Sequence, residues 1–227
     1  MRVLDSEHCP GFDELVADHV AVPEDRDRDR AFVRLNMIAS ADGASALAGL
    51  SSGLGNENDH AVFAALRAHA DTIIVGMGTA IAEQYGPPAE PHQHIYVIAT
   101  RPNISGDAAL FESGRATLVL PEGAAPAPEG VPELRAGKGS AVDLRRVVSE
   151  LSDKVVIAEG GPTLAGRMAA LGLIDEFFLT VSPRIVSGDA ARVVHGPEAD
   201  PAIWQLRHGF VDDEGFLFLR YAKRDGS

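Results

Sequence analysis

The sequence predicts an α/β protein built on a mixed, mostly parallel β-sheet that is flanked by helices and ends in an antiparallel hairpin. Two patterns predict this fold class. Apolar runs of buried-strand length alternate with helical patterns along residues 31–181, an order typical of parallel sheets. Two further strand-like segments then flank the turn Asp212-Asp213-Glu214-Gly215, which is typical of a hairpin.

The individual elements follow from local patterns. The predicted strands cover residues 32–38, 72–75, 95–99, 116–120, 154–158, 176–181, 204–211 and 216–221. The predicted helices cover 57–69, a short segment ending near 83, 142–151 and a segment from 162 onward. Asn56 is suited to cap the first helix, and Gly172 is suited to end the last one in left-handed geometry. The Pro- and Gly-rich stretch 121–132 predicts a surface loop.

Length and composition indicate how the chain is divided. The 227 residues, 45% of them hydrophobic, are enough for one large domain with a genuine core. Residues 24–30 alternate in charge sign, so we expect residues 1–30 to form a polar, solvated arm or cap. Residues 31–227 are expected to form a single domain.

Charge and cysteine content exclude several classes of function. A net charge of −13 repels phosphate backbones and anionic lipids, which argues against nucleic acid and membrane partners. The single cysteine, Cys9, excludes an internal disulfide framework and a cysteine zinc finger. The first residues lack the apolar core of a signal peptide, and no apolar run has membrane-spanning length. We therefore expect a cytoplasmic location.

Two buried strands each end in paired glycines at the start of a helix. These segments are Gly76-Met77-Gly78-Thr79 and Gly160-Gly161-Pro162-Thr163. First-turn N–H groups lack helical partners, and glycine lets a phosphate approach the backbone. Glycines that merely permit tight turns are the alternative for either loop alone. Two such loops at the carboxyl edge of one sheet favour a ligand with more than one phosphate, namely a dinucleotide cofactor.

The residues after the 95–99 strand indicate which dinucleotide fits. A conventional dinucleotide fold has a third glycine and a carboxylate at this strand end. This chain has Thr100 and Arg101 instead, which suit a 2′-phosphate and so favour NADPH over NADH. An ordinary exposed role for Arg101 is the alternative. A conventional dehydrogenase is disfavoured, because no Tyr-x-x-x-Lys motif is present.

Three acids lie close to the glycine loops in the predicted fold: Asp42, Glu83 and Glu159. Asp42 and Glu159 are the candidate catalytic residues, because each could bind the N–H groups of a heterocycle or relay a proton. A simple turn at Asp42 and a favourable helix-start carboxylate at Glu159 are the alternatives. We predict no metal site, since His92-x-His94 is the one close histidine pair and no H-E-x-x-H motif occurs.

Three stretches resemble the reductase domain of the bifunctional riboflavin-biosynthesis deaminase/reductase, which has a dihydrofolate-reductase-like fold. They read RLNMIASADG at 34–43, LRAHADTIIVGMGTAIA at 66–82 and VIAEGGPTLAGRMAALGLIDEFFLTVSPRI at 156–185. The resemblance covers residues 31–221. It implies NADPH-dependent reduction of a small heterocycle, in the family a ribosylaminopyrimidine phosphate, by a homodimer.

The resemblance also implies roles for particular residues. Contacts to NADPH would fall on Ile38, Ala39, Thr79, Glu83 and Thr100, and residues 160–164, ending at Leu164, would cradle phosphate. Ser51, Arg67 and Glu159 match positions that contact the substrate.

The chain departs from this family in three respects. It lacks the deaminase half with its zinc ligands, and Gly53 replaces an aromatic residue expected beside the cofactor. Where the family has D-P-x-L followed by an Arg that grips the substrate, residues 83–88 contain no Arg, and none follows before Arg101. Two alternatives to a 5-amino-6-(5-phosphoribosylamino)uracil reductase therefore stay open: a dihydrofolate reductase-like pterin reductase and a non-catalytic NADP(H)-binding protein.

Overall fold

The computed structural model describes residues 11–27, 29–106, 108–198 and 201–223, so Cys9 lies outside the described residues. The strands are β1 Phe32–Ser40, β2 Thr72–Gly76, β3 His94–Ile98, β4 Ala116–Leu120, β5 Glu133–Arg135, β6 Val155–Ala158, β7 Glu176–Ser182, β8 Trp204–Val211 and β9 Leu217–Lys223. The helices are α1 Phe12–Val20, α2 Glu57–Ala68, α3 Met77–Ala82, α4 Leu144–Ser149 and α5 Pro162–Ala170, with a 3₁₀ turn at Ala109–Phe111.

All nine strands form one sheet in the order β5-β4-β3-β2-β6-β1-β7-β9-β8. The pairs from β5 to β7 are parallel, whereas β9 pairs antiparallel with both β7 and β8. The predicted fold class and the C-terminal hairpin are therefore confirmed. In the described part of the chain, no helix is long and apolar enough to cross a membrane.

The sheet order places the two glycine loops next to each other. β2 and β6 are parallel neighbours, with Ile74 opposite Ala158, so the loops that follow them leave the same edge of the sheet. β1 lies on the other side of β6 and brings residues 38–40 to that edge. The carboxyl edge of the central strands is where α/β sheets usually bind ligands.

Helices cover both faces of the central sheet. Apolar residues of α1 and α2 pack on one face, against alternate residues of β2 such as Ile73 and Val75. Residues of α4 and α5 pack on the opposite face, against Ile74 and the β1 and β6 strands. Asn56 caps α2 as predicted, because its side chain accepts a hydrogen bond from the Asp59 N–H at 2.9 Å. Gly172 follows α5 with a φ of +68°, also as predicted.

Residues 12–20 form α1, which covers part of the sheet as a cap and is not a solvated arm. This helix buries Val16, His19 and Val20 against the sheet. Its carbonyl end also accepts hydrogen bonds from a buried guanidinium, since Arg220 Nη1 donates to the carbonyl of His19 at 3.1 Å. A cation at a helix C-terminus is favourable. The partner is 201 residues away, so nothing in the local sequence announces this packing.

The short edge strand β5 was not predicted. It has only three residues, and two of them, Glu133 and Arg135, are charged. Its backbone pairs with β4 from Leu118 to Leu120. An edge strand this short needs no apolar run of its own, because it is formed by pairing with the strand already in place.

Candidate functional site

A cavity of about 930 Å³ opens at the carboxyl edge of the central strands. It is lined by the end of β1, the loop 45–52, one face of α2, the segment from α3 to Pro87, the start of α5 and the loop 186–191. This volume is at the upper end of the range of roughly 300–1,000 Å³ typical of small-molecule sites. The cavity can therefore hold an elongated ligand or two ligands side by side.

The two glycine loops touch each other at this cavity. The N–H of Gly76 donates to the carbonyl of Gly160 at 2.8 Å. A Cβ placed on Gly161 would lie 2.7 Å from Thr79 Oγ1, so this part of the loop lies directly beside the start of α3. The two loops therefore converge, although the N–H of Gly76 is used to join them and is not free for a ligand.

Gly160 cannot be replaced without strain. Its φ is +85°, and a Cβ there would lie 2.9 Å from Met37 Sδ. Glycine is the residue that adopts this conformation without steric cost. The backbone at Gly160 therefore lies close to Met37 of β1, and the next residue, Gly161, lines the cavity.

The start of α5 fits an anionic group. Gly161 and Pro162 line the cavity, and Pro162 occupies the first helical position, where its missing N–H would be unpaired in any case. The N–H groups of the first turn have no partner within the helix, and the helix dipole is positive there. Gly78, in the adjacent first turn of α3, also lines the cavity and has open space where a side chain would be. These features suit the pyrophosphate of a dinucleotide.

A three-residue polar network forms one wall of the cavity. Glu159, the residue after β6, is buried and accepts two hydrogen bonds from Arg67, at 2.7 Å from Nε and 2.6 Å from Nη2. The hydroxyl of Tyr85 donates to the same carboxylate at 2.7 Å. The Arg67 guanidinium also lies over the rings of Phe63, at 4.4 Å, and Tyr85, at 5.1 Å. Arg67 is therefore held between two aromatic rings.

The protonation states in this network follow from its geometry. Burial alone would lower the pKa of Arg67, but the hydrogen bonds and charge of Glu159 outweigh burial and raise that pKa above its usual range. Burial, and then the charge of Glu159, raise the pKa of Tyr85 well above its usual value. At neutral pH the network therefore holds a guanidinium cation and a neutral phenol.

Glu83 holds the loop on the other side of the cavity. Its carboxylate Oε1 accepts hydrogen bonds from the N–H of Ser51 at 2.7 Å and from Ser51 Oγ at 2.8 Å. Both residues line the cavity. Glu83, which the family resemblance assigns to NADPH, and Ser51, which it assigns to the substrate, are thus in direct contact.

Asp42 lies outside the cavity lining. Its carboxylate binds the Ser40 hydroxyl and the N–H groups of Val186 and Ser187, the latter at 2.7 Å. These hydrogen bonds, Ser40 first, lower the pKa of Asp42 to about 2. Val186 and Ser187 do line the cavity, so Asp42 positions one of its walls.

Asp59 is a cavity residue that the sequence analysis did not assign to the site. Its backbone N–H bonds the N-cap Asn56, while its side chain lines the cavity and is partly buried. Burial raises the pKa of this carboxyl group, against the hydrogen bond with Thr180. The spacing from Asn56 to Asp59 indicated a helix start, and only the packing of α2 shows that the side chain reaches the cavity. Tyr85 was also missed, because its contact with Glu159 joins residues 74 positions apart.

The structure divides the predicted site residues into two groups. Those that line the cavity are Ile38, Ser51, Arg67, Gly78, Thr79, Glu83, Glu159, Gly161 and Pro162. Those that do not line it are Ala39, Asp42, Gly76, Thr100, Arg101, Gly160, Thr163 and Leu164. Thr100 and Arg101 are exposed after β3, one strand beyond the Gly76 loop. Among the described residues, no group of three His, Cys, Asp or Glu side chains could hold a metal ion.

Curated relatives share the reductase resemblance. A 2,5-diamino-6-ribosylamino-4(3H)-pyrimidinone 5′-phosphate reductase of Methanothermobacter thermautotrophicus is 29% identical over 194 residues, covering 75% of this chain and 87% of that protein. The riboflavin biosynthesis protein RibD of Mycobacterium tuberculosis is 27% identical over 162 residues, covering 68% of this chain. The alignment spans only 42% of that protein's length.

Solved structures share the fold. A pyrimidine reductase-like protein of Corynebacterium diphtheriae superimposes with a TM-score of 0.74 at 22% identity, covering 86% of this chain and 92% of that one. A dihydrofolate reductase of Enterococcus faecalis complexed with NADP(H) superimposes with a TM-score of 0.56 at 15% identity, covering 86% of this chain and 97% of that one. The dihydrofolate-reductase-like fold is therefore confirmed.

The RibD C-terminal domain family matches residues 31–218, which is most of the chain and contains β1 to β8 and the first two residues of β9. The match includes both glycine loops and the network around Glu159. The chain therefore belongs to the RibD C-terminal domain family.

Proposed function

We propose that this protein is an NADPH-dependent reductase of a pyrimidine-like heterocycle, of the same type as 5-amino-6-(5-phosphoribosylamino)uracil reductase. The observation that carries the proposal is that the Gly76 and Gly160 loops contact each other and that residues of both loops line one cavity together with the Arg67–Glu159–Tyr85 network. The name of the archaeal relative, a pyrimidinone phosphate reductase, supports the same assignment.

The glycine loops and α5 would hold the cofactor. Gly78, Thr79, Gly161 and the first-turn N–H groups at Thr163 and Leu164 would bind the pyrophosphate, while Ile38 and Ala39 would lie beside the nicotinamide. One helix terminus contributes only about 0.3–2 kcal/mol to an anion, whereas micromolar affinity requires about 8 kcal/mol. Contacts beyond the pyrophosphate are therefore needed, and Thr100 and Arg101 are suited to the 2′-phosphate.

The bound dihydronicotinamide would supply a hydride, with its two electrons, to an electrophilic carbon of the substrate, and a proton from an acid or from water would complete the reduction. Glu159 would orient the heterocycle. A carboxylate has about four acceptor positions. Three of them are used by Arg67 and Tyr85, which leaves one for a ring N–H.

Asp59 is better suited than Asp42 to hold a proton for this reaction. Burial raises the pKa of Asp59, which lines the cavity. Hydrogen bonds lower the pKa of Asp42 to about 2, and its side chain binds the 186–187 backbone. We therefore assign Asp42 to positioning of that loop and not to direct catalysis.

Turnover and binding assays test the proposal. We expect NADPH to bind and its absorbance to fall when a ribosylaminopyrimidine is added. Turnover of dihydrofolate alone would favour a pterin reductase instead. NADPH binding without turnover of any heterocycle would favour a non-catalytic binding protein, and absence of NADPH binding would contradict the proposal.

Arg101→Ala tests the choice of cofactor. A charge-assisted hydrogen bond contributes about 1.5–3 kcal/mol, so losing it should weaken NADPH binding by roughly tenfold or more while changing NADH binding little. Lys138→Ala is a matched control, because Lys138 is an exposed cation that follows the edge strand β5 and has no assigned ligand contact. Equal losses for NADPH and NADH would remove the 2′-phosphate assignment.

We also propose that the protein is a homodimer that pairs through one face of the β7–β9–β8 sheet. Paired residues on neighbouring strands have side chains on the same face of the sheet. Val181 of β7 pairs with Leu217 of β9, and this pair defines the face. Leu206, Val211 and Leu217 are exposed large hydrophobic residues on these strands. No helix named above covers this face, and clustered exposed apolar residues of this kind mark interaction surfaces.

A further inference from the structure

We infer that the substrate of this site is a heterocycle without a phosphate ester, recognised through its N–H groups. The inference rests on the proposed function and narrows its substrate class. It differs from what the name of the archaeal relative states, since that protein acts on a 5′-phosphate. The charges that line the cavity carry the inference.

Among the described residues, Arg67 is the one arginine or lysine that lines the cavity, and it is already paired. Arg67 makes two hydrogen bonds to the buried Glu159 carboxylate, and its faces are covered by Phe63 and Tyr85. The Arg67–Glu159 pair is neutral as a whole. His60, on the rim, is the other basic residue of the lining and is exposed. A phosphate dianion would therefore meet no uncompensated positive side chain of lysine or arginine.

The remaining charged groups of the lining are acids. Glu83 binds only the uncharged groups of Ser51, so no cation neutralises its carboxylate in the described contacts. Asp59 is the second acid, and it lies in the first turn of α2. The Glu83 carboxylate would repel a phosphate, whereas both acids would accept hydrogen bonds from, or exchange a proton with, the N–H groups of a heterocycle.

The start of α2 does not supply an anion site either. It carries Glu57 and Asp59, and the side-chain amides of Asn56 and Asn58 both donate to Asp212 at 2.9 Å. The amides that could bind an anion are thus committed to a carboxylate of the chain itself. The helix-terminus N–H groups of α5 are those that the cofactor would use.

The surrounding loops supply no replacement cation. The loop after α3, from residue 83 to 91, contains no Arg or Lys. Arg184 and Arg192 flank the loop 186–191, but both are exposed and neither lines the cavity. Among the described residues of the lining, none supplies the positive charge of the arginine that residues 83–91 lack.

Calorimetry on the NADP⁺-saturated protein tests the inference. The ligands are 2,5-diamino-6-ribosylamino-4(3H)-pyrimidinone and its 5′-phosphate. We expect the compound without phosphate to bind about tenfold more tightly or better, because like charges repel, and we expect added salt to narrow the difference. Equal or tighter binding of the phosphate ester at low salt would overturn the inference.

The same titrations separate this inference from the proposed function. NADP⁺ affinity is measured first, and its absence would refute the reductase assignment. If NADP⁺ binds but neither pyrimidine does, the pyrimidine assignment fails and the inference fails with it. If NADP⁺ and the phosphate ester both bind tightly, only the inference fails.

Two variants with one control locate the cause. Glu83→Gln removes an uncompensated charge from the lining. It should reduce the preference for the compound without phosphate roughly threefold or more. His60→Arg adds a permanent cation at an exposed lining position, requires no repacking, and should favour the phosphate ester. Glu57→Gln is the control. It removes a charge from the start of α2, outside the cavity lining, so the ratio of affinities for the two compounds should not change. Equal effects of Glu83→Gln and Glu57→Gln would contradict a local charge mechanism.

Discussion

At the residue scale, the buried carboxylate of Glu159 explains why Arg67 and Tyr85 are arranged as they are. A carboxylate with a side-chain exposure of 2% is costly to bury unless it is paired and hydrogen-bonded. Arg67 supplies the charge and two hydrogen bonds, and Tyr85 supplies a third. Aromatic rings keep the guanidinium in place, so the network presents a fixed acceptor to the cavity.

Replacing Arg67 should destabilise the protein, because Glu159 would then be a buried carboxylate without a cation. Arg67→Met leaves Glu159 without its cation and should lower the free energy of unfolding by about 3 kcal/mol, near the lower end for buried pairs because Arg67 is 27% exposed. Urea denaturation at pH 7.5 measures the loss. The double variant Arg67→Met with Glu159→Gln should recover part of it, and no recovery would show that the destabilisation has another cause.

Gly161 is the backbone position at which a side chain should interfere most directly with the cofactor. Gly161→Ala should weaken NADPH binding roughly tenfold or more, since the added Cβ would stand between the helix start and a phosphate. The φ of Gly161 is −56°, which alanine adopts readily, so the protein should still fold. Fluorescence titration with NADPH measures the effect.

A second variant separates a clash from a blocked approach. The added Cβ would lie 2.7 Å from Thr79 Oγ1. Gly161→Ala is therefore combined with Thr79→Ala, which removes that hydroxyl, and is compared with Thr79→Ala alone. If the two proteins bind NADPH equally well, the clash alone explains the loss in Gly161→Ala. If the double variant still binds NADPH roughly tenfold more weakly, the added Cβ blocks the approach of the phosphate. Unchanged NADPH affinity in Gly161→Ala would contradict the role of this loop.

At the scale of elements, α1 is held by polar contacts that lie inside the fold. The buried Glu176 of β7 bridges Arg34 of β1 and Arg220 of β9, with Arg34 Nε 2.9 Å from its Oε2. Both arginines then donate to carbonyls at the end of α1, at His19 and Ala21. Three strands and one helix are thereby connected through one carboxylate.

His19 makes this docking sensitive to acid. Its ring lies between Phe178 and Phe210 and its Nδ1 is 3.0 Å from Nδ1 of His208. Burial first, then the charges of His208, Arg220 and Arg34, lower the pKa of His19 to about 3. The folded protein therefore keeps this histidine neutral at a pH at which the unfolded chain would protonate it.

The resulting pH dependence has a definite sign. The unfolded chain binds the extra proton below about pH 6.5, so stability is complete above that pH and falls as the pH decreases towards 3. At pH 5 the loss should be about 2 kcal/mol from this residue. Urea midpoints at pH 7.5 and 5 measure it. His19→Phe should reduce the change in urea midpoint between pH 7.5 and 5, whereas the control His92→Gln, at an exposed histidine, should not. The same change in the wild-type protein and in both variants would contradict this account.

At the scale of the whole molecule, helices cover the central strands on both faces, and the apolar face of β7–β9–β8 is what they leave exposed. Leu217→Lys, on the middle strand of that face, should convert the proposed dimer to a monomer, because it buries a charge at the interface. Analytical ultracentrifugation measures the mass. Ile185→Lys is the control, since Ile185 is exposed outside these strands. A wild-type monomer at micromolar concentration would contradict the dimer.

The order of strands and helices, the terminal hairpin and both glycine loops could be predicted from the sequence. Each depends on a short window of residues, whether an apolar run, a cap such as Asn56 or a glycine where the backbone turns. The family resemblance added the expected cofactor and substrate positions. The prediction failed at α1 and β5, where distant partners and not local patterns stabilise the element.

Local propensity thus determined which segments form strands, helices and turns, because backbone preferences act within a few residues. Only the tertiary structure decided how side chains combine. Arg67 and Tyr85 are 92 and 74 residues from Glu159, and Asp42 reaches across 145 residues to Ser187. Such pairings depend on sheet order and helix packing, which is why Asp42 lies outside the cavity and Asp59 within it.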